Sequence, residues 1–523
     1  MIQDAAAPPA RAAAASRRSG MSDAGDPSGN IAGILDIHAT TRGGHPALIH
    51  GPRTWSHAEF AAEVRRTANH LRDMGIRRGD LAGVCLEDRP RTLFVLFALA
   101  RLGAMALPMD ARWSEVERTR MAAFFKPRVV LADAPLPPAG EETVLRVGPE
   151  WDAAVAACPD EAPLVMGPDL PLLVSLSSGT TGRPTGPMVT HQQMYARFMS
   201  QTVSLTFNAY DRFMTATPLY FGGGRTFSMS QIVLGSTLAL YAPPYTPEGL
   251  AEEIARTGTT AVFLVPTLLR RLLDLPEDDR AKLRGLRLLI SSGAPLHAEE
   301  RARVRATLTP NYFEYYASTE GGGVSVLHPA DQQARPASVG RPSFRVEVQV
   351  VGEDHAPLPA GETGQVRYRG PGVADSFFRD AEASAKAFHE GWFYPGDLGS
   401  LDAGGYLTLR GRAKDMILRG GVNIYPLEIE QTLQGLPEVA EACVFPLPHA
   451  QLGEEVAAAL VLRPAAAAEA GADALAGIES ACRTTLARYK VPSRWFVMEA
   501  LPKNSGGKVV KAEVARLAAE TGG

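Results

Sequence analysis

Between Ile34 and Arg410, short apolar runs that end in small residues alternate with longer stretches whose apolar positions recur at helical spacing. PLLVSL at 171–176 runs into SSGTTG, AVFLVP at 261–266 into a threonine, and LRLLI at 286–290 into SSGAP. Unbroken apolar runs bounded by Gly, Ser or Pro suit strands buried on both faces of a largely parallel sheet, whose carboxyl ends carry the binding loops. The pattern predicts a large α/β body with its chemistry on those loops. The most apolar stretch, LFVLFALARLGAMALPM from Leu93, is interrupted by Arg101. It falls short of the roughly 20 apolar residues a spanning helix needs, so it reads as a buried helix followed by a strand. After GRAKD at 411–415 the texture changes. LEIEQTLQGL and LAGIESACRTTLARY have helical spacing, whereas ACVFPL, VAAALVL and RWFVME read as strands, which predicts a separate α+β unit. The expected division is a disordered extension at 1–30, a body at 31–411 and a small C-terminal cap at 412–523. The extension is rich in Ala, Pro, Ser and Gly without a continuous apolar core, so a signal peptide is not expected, and Met21 is an alternative start.

A chain of 523 residues exceeds what one core organises, in line with this division. Lys+Arg 53 against Asp+Glu 57 leaves a formal net charge of -4, which argues against a dedicated nucleic-acid binder or a polybasic membrane anchor. The charge is segregated, however. Positions 421–480 hold nine acids and one base, Arg463, whereas 481–511 hold seven bases and one acid, Glu499. Such a segment suits phosphates, and an unevenly charged solvated surface explains it equally well. Cys85, Cys158, Cys443 and Cys482 lie far apart with no CxxC pair, so neither a disulfide scaffold nor a zinc knuckle is encoded and a reducing, cytoplasmic setting is expected.

Four constellations carry chemistry. SLSSGTTGRPTG at 175–186 opens a buried strand into a loop with hydroxyls at Ser177, Ser178, Thr180, Thr181 and Thr185, glycines at Gly179, Gly182 and Gly186, and one cation, Arg183. Inward backbone N–H groups and hydroxyl donors suit such a loop to phosphate oxygens, although no GK[ST] makes it a Walker A loop and a plain surface loop has the same composition. NYFEYYASTEGGG at 311–323 offers Tyr315 and Tyr316 to flank a flat ring, Thr319 to donate to a phosphate, and Glu320 as a hard oxygen ligand of the kind Mg²⁺ prefers. Two core tyrosines and a surface glutamate are the alternative there. In GWFYPGD at 391–397, Asp397 sits in a tight turn where its carboxylate can accept both hydroxyls of a ribose diol, and Arg412 follows at the domain junction. PKNSGGKVVK at 502–511 projects Lys508 from a Ser-Gly-Gly turn, where a merely solvated charge is the common alternative.

In this order and near these spacings, SSGTTGRPTG, YYASTE, YPGDLG, GRAKDMILRGG and the late SGGK resemble the core motifs of the adenylate-forming superfamily: acyl- and aryl-CoA synthetases, peptide-synthetase adenylation domains and beetle luciferases. The resemblance spans residues 35–511. It implies a large multi-subdomain N-terminal α/β body with a small mobile α+β C-terminal domain, using ATP, Mg²⁺ and coenzyme A. It implies that a carboxylate attacks the α-phosphate of ATP to give an acyl-adenylate and pyrophosphate, and that a thiol then displaces AMP. By the same resemblance, the loop from Ser178 to Gly186, with Ser177, holds the β- and γ-phosphates, and Gly293, Ala294, Pro295 and Tyr315, with Tyr316, frame the nucleotide. Thr319 touches the α-phosphate, Glu320 binds Mg²⁺, Asp397 and Arg412 hold the ribose, and Lys508 bridges the carboxylate and α-phosphate. Lys414 is the implied hinge, and Gly420 and Gly421 line the channel for the thiol. Two departures stand out. Thr185 occupies the place of a usual lysine, with Arg183 a nearby substitute, and Tyr315 and Ala317 stand where glycines are common, which reshapes the acyl pocket.

TPLYFGGGRTFS at 217–228 matches the segment lining the acyl pocket, so Tyr220, Phe221, Gly222 and Gly223, with Ala317, Gly321 and Gly322, are the expected lining. Phe221 stands where α-amino-acid-specific domains place an aspartate, and without that countercharge a substrate ammonium is costly to bury. Gly222 to Gly224 and Gly321 to Gly323 are expected to open a slot for an aryl or medium-chain acyl group, Arg225 to form a surface salt bridge, and His328 to be structural. The chain ends soon after Lys508 without room for a fused carrier, so the thiol is expected from another molecule. Free CoA fits the basic segment with Arg483, Arg488, Lys490 and Arg494; a carrier protein bearing phosphopantetheine, supplied in trans, is the alternative. A third reading is a catalytically weakened nucleotide-binding regulator. No nucleic acid or membrane span is expected, and a homodimer is compatible with the sequence.

Overall fold

The computed structural model describes residues 29–521 apart from 88–89, 168, 177–184, 242–243, 295, 465, 467–470 and 504–507. The apolar runs at 171, 261 and 288 form the strands Pro171–Val174, Ala261–Leu264 and Leu288–Ser291, buried almost throughout as their unbroken hydrophobicity requires. Ala261–Leu264 and Leu288–Ser291 pair side by side in a nine-stranded sheet, with Tyr312–Ser318 next in line. These strands run parallel with Arg212–Thr215 and Thr237–Leu240, so their carboxyl ends share one edge. Gly322–Leu327 then returns antiparallel to Tyr312–Ser318, which makes 319–321 a turn at that edge. Pro171–Val174 belongs to a second, six-stranded sheet with Leu81–Cys85, Met105–Pro108 and Val129–Ala132 in parallel.

The stretch from Leu93 is a helix, Pro90–Leu102, followed by the strand Met105–Pro108. Arg101 stays inside because its guanidinium is fully engaged: it pairs with Asp36 at 2.7 Å and donates to the Ala162 carbonyl at 2.8 Å. Order at the N-terminus begins earlier than the expected boundary at 31. Asn30 is completely buried and its amide donates to the Ala100 and Val165 carbonyls, both at 2.8 Å, while the Ile31 N–H donates to His191 Nδ1. Residues 1–28 of the expected extension lie outside the described residues.

A third sheet, antiparallel, spans 347–412 and ends in the strand Leu407–Arg412. A single 3₁₀ turn, Ala413–Asp415, leads to Ile417–Arg419, the first strand of a fourth sheet that spans 417–497. The cap has its own two apolar clusters, one around Ile429, Val444 and Leu460 and one around Phe445, Leu501 and Val514. Lys511 closes the second by pairing with Glu430 at 2.6 Å and donating to the Val444 carbonyl. Among the described residues, no helix is long and apolar enough to cross a membrane.

Candidate active site

The shared strand edge assembles the site. After Leu288–Ser291 the chain turns at Gly293, whose φ of +103° favours glycine, and Gly293 and Ala294 are exposed with open space beside Gly293. On the neighbouring strand, adjacent side chains point to opposite faces, so Tyr315 and Tyr316 cannot share a role. Tyr316 donates its hydroxyl to Asp397 Oδ2. Tyr315 is buried in the body, its ring 5.6 Å from that of Phe227. The expectation that Tyr315 frames adenine is thus corrected, since its ring is buried in the body, whereas Tyr316 is half-buried beside Asp397. Asp397 opens the strand Asp397–Leu401 directly across the ladder from Arg412, which places Arg412 Nε 2.8 Å from Asp397 Oδ1. Burial raises the Asp397 pKa above the usual carboxylate value, with Arg412 and the Tyr316 hydroxyl opposing the shift.

The turn bearing Thr319 and Glu320 is held by a residue that no sequence motif marked. Arg197, on the helix His191–Ser204, is buried and donates to the Thr319 carbonyl at 3.1 Å, the Glu320 carbonyl at 2.5 Å and the Gly372 carbonyl at 2.6 Å. Desolvation lowers its pKa to about 10, which still leaves it charged at neutral pH. The Ala374 N–H also donates to the Glu320 carbonyl, and the Gly321 N–H to Ser318 Oγ. Burial raises the Glu320 carboxyl pKa, with a bond from Ser318 opposing. The signal that could have pointed to Arg197 is its place in a helix that otherwise buries Met194, Phe198 and Gln201 on one face.

The acyl-pocket segment differs from expectation in several ways. The Tyr220 and Phe221 rings lie with centroids 4.7 Å apart and planes tilted by 47°, and Phe221 is the N-cap residue of the helix Gly222–Leu234. Gly222 has open space, but a Cβ at Gly223 would meet Phe263 at 2.8 Å, one at Gly321 would strike Tyr368, and one at Gly322 would meet Arg197 at 3.0 Å. These three glycines serve close packing rather than a slot, and only Gly222 keeps the expected openness. Gly323 likewise has no room for a Cβ beside the Tyr315 hydroxyl. Ala317 lies half-buried against the main apolar cluster. Arg225 is not at the surface: it is 2% exposed, donating to the Tyr220 carbonyl at 2.9 Å and Ser175 Oγ at 2.6 Å. From the second sheet, Arg112 reaches over the Tyr220 ring at 5.4 Å while paired with the buried Asp110.

The cap contributes a cation to this edge. Lys508 is exposed, yet partial desolvation and the positive field of Arg412 hold its ammonium below the usual lysine value, with Asp397 and Asp415 opposing. Asp397, Arg412 and Lys508 therefore act on one another electrostatically. Lys414 sits in the connecting turn, and its pKa is lowered by desolvation and by Arg412. Gly420 and Gly421 form a hairpin tip with φ of +59° and +85°, and Gly420 donates to the Leu452 carbonyl within the cap. The basic segment is partly neutralised: Arg483 pairs with Glu479 and Lys490 with Glu428. Ser177, Ser178, Gly179, Thr180, Thr181, Gly182 and Pro295, expected at the nucleotide, lie outside the described residues. Thr185, half-buried, stands at the near end of that loop.

Residues 35–378 match the model of the AMP-binding enzyme family, and 428–508 match that of the AMP-binding enzyme C-terminal domain. The chain belongs to the AMP-binding enzyme family. An indoleacetate–CoA ligase of Aromatoleum aromaticum is 31% identical over 93% of this chain and 97% of its own. A feruloyl-CoA synthase of Amycolatopsis is 33% identical over 92% and 96%. Among solved structures, ATP-bound MatB from Rhodopseudomonas palustris superposes with a TM-score of 0.84 at 27% identity, covering 93% of this chain and 99% of that one. The o-succinylbenzoate CoA synthetase of Bacillus subtilis, bound to its acyl-adenylate intermediate, gives 0.82 at 27% identity over 92% and 97%.

For this AMP-binding enzyme the donor set at the 319–320 turn fits Mg²⁺. Glu320 supplies one carboxylate beside the Thr319 hydroxyl, and among the described residues no cluster of three or more His, Cys, Asp or Glu side chains competes for a metal. One carboxylate plus substrate phosphates is the usual way Mg²⁺ is held, since it keeps several waters.

Proposed function

We propose that this enzyme, an AMP-forming acid–thiol ligase, activates an aryl carboxylic acid as its acyl-adenylate and passes the acyl group to the thiol of coenzyme A. The observation that carries the reading is the Tyr316–Asp397–Arg412 cluster in the body, with which Lys508 of the cap is coupled electrostatically. Asp397 accepts the ribose hydroxyls while Arg412 and Tyr316 fix its orientation. The substrate carboxylate oxygen attacks the α-phosphorus and pyrophosphate leaves; Lys508 and the Thr319 hydroxyl stabilise the charge that gathers on the α-phosphate oxygens. Mg²⁺, when bound at Glu320, neutralises charge on the phosphates. The thiolate of CoA then adds to the acyl carbonyl carbon and AMP leaves with the electron pair of the broken C–O bond. An aryl group is favoured by the tilted Tyr220–Phe221 ring pair beside open Gly222, by the lack of an acid to pair with a substrate ammonium at Phe221, and by the indoleacetate and feruloyl relatives.

A carrier protein in place of free CoA is the second reading. It is supported by exposed Leu418, Val422 and Tyr489 near the Gly420–Gly421 tip and by the pairing of Arg483 and Lys490 within the cap. A cytoplasmic location, and a monomer or homodimer, are compatible with either. Incubation with ATP, CoA and a panel of aryl, arylalkyl and aliphatic acids, read by mass spectrometry, tests the proposal. Aryl-CoA thioesters are expected; AMP formation only when a carrier protein is added would overturn the CoA reading.

A further inference from the structure

Arg225 poses an electrostatic problem. It is among the largest fully buried side chains, and a guanidinium removed from water is costly unless an anion accompanies it. Its partners are all neutral: Nη1 donates to the Leu219 carbonyl at 3.3 Å and the Tyr220 carbonyl at 2.9 Å, and Nη2 to Ser175 Oγ at 2.6 Å. Its Nε has no partner among the described residues. Its charged neighbour is Arg197, which carries the same sign, and burial with that repulsion lowers the Arg225 pKa to about 10, so the charge persists at neutral pH. These contacts join two elements. Leu219 and Tyr220 lead directly into the helix start at Phe221–Gly222, and Ser175 follows the strand Pro171–Val174 of the other parallel sheet. Two buried guanidinium groups, Arg225 behind the acyl segment and Arg197 behind the Thr319–Glu320 turn, thus place positive charge on this side of the body; Glu320 acts against the charge of Arg197, whereas Arg225 bonds to no carboxylate among the described residues.

We infer that Arg225 is a positioning residue that couples the two substrate sites: it locks the Leu219–Tyr220 rim of the acid pocket to Ser175 and, bonded to neutral groups alone, supplies buried positive potential that favours the entry of anionic substrate. The inference rests on the proposed adenylation chemistry and deepens it. Two readouts separate them. Calorimetric binding of ATP alone needs no acid to be activated, and acid-dependent ATP–pyrophosphate exchange reports the reaction. Arg225→Met is expected to weaken ATP binding and to raise KM for the acid, each by about tenfold or more, the scale of a lost charged hydrogen-bond set. Ser175→Ala is expected to move both in the same direction by a smaller factor, and the double variant to be no worse than Arg225→Met, because the pair acts as one unit. Arg225→Lys keeps the charge but loses the planar fork, so ATP binding should recover more than acid KM. If Arg225→Met does not fold, the Ser175→Ala and Arg225→Lys pair decides alone. Unchanged ATP affinity and acid KM in a folded Arg225→Met protein, or in both of the milder variants, would overturn the inference. Absence of exchange in the parent with every acid would instead strike the proposed function, leaving the ATP-binding arm to judge Arg225.

Discussion

In the proposed mechanism, Lys508 is the side chain on which the first chemical step turns. Its exposure makes Lys508→Ala structurally mild, while loss of a preorganised cation at the reacting bond is expected to cut ATP–pyrophosphate exchange about 100-fold or more. The protonated form is the active one. Because its pKa lies below the ordinary 10.5, the rate should fall as pH rises through that lowered value, and the alkaline limb of the exchange profile should begin earlier than for a free lysine. Full exchange in Lys508→Ala would remove the assignment. At Gly323 the packing sets a different expectation. Gly323→Ala forces a methyl into the Tyr315 hydroxyl and should destabilise the body by about 1–3 kcal/mol, read as a lower urea midpoint. The division of labour between Tyr315 and Tyr316 was not legible in the sequence, since two adjacent aromatics on a strand define both faces without saying which is the core. Arg197 and Arg225 escaped for a related reason: arginine is rarely buried, and only packing reveals that these two are.

Elements were legible wherever burial imposes a continuous pattern. The strands at 171, 261 and 288 and the helix from 90 followed from apolar runs of the right length, whereas the short strands of 388–393 carry too little pattern to read alone. The helix Gly222–Leu234 illustrates how an element's far end is secured by chemistry hidden in scattered residues. At its C-terminal end, the Val233 and Gly235 carbonyls meet His38 and His57, whose rings lie 5.2 Å apart, while Arg42 also donates to the Gly235 carbonyl and His45 stacks on His57 at 6.0 Å. Burial, then the neighbouring His38, His45 and Arg42 charges, lowers the His57 pKa to about 4, and burial lowers that of His38. The folded state thus holds His57 neutral where the unfolded chain protonates near 6.5. Stability from this group is complete above that value and is expected to decline as pH falls from 6.5 toward 4. Urea midpoints measured across that window should drop in the parent, and His57→Leu should flatten the slope; an equal slope in both proteins would refute the assignment.

At the scale of the whole molecule, the change of texture after GRAKD already announced a second unit, and the structure puts the change of sheet between Arg412 and Ile417. What the chain could not disclose was which body residues face the cap, because that depends on the relative placement of two separately cored units. If the turn at Lys414 is the pivot, stiffening it should separate the two half-reactions. Lys414→Pro is expected to leave pyrophosphate exchange within about threefold of the parent and to slow thioester formation by roughly an order of magnitude. Equal loss in both assays would argue against a pivot there. The Asp397–Arg412 pair is closed across one ladder on the body side of that turn. Under the proposed mechanism, any swivel that starts beyond Arg412 would leave this pair, the proposed ribose clasp, untouched, so a reactive mixed anhydride would stay tethered by its sugar while Lys508 is carried off. Such a clasp would protect the intermediate from escape and stray hydrolysis during the handover, and the two steps would need no release and recapture between them.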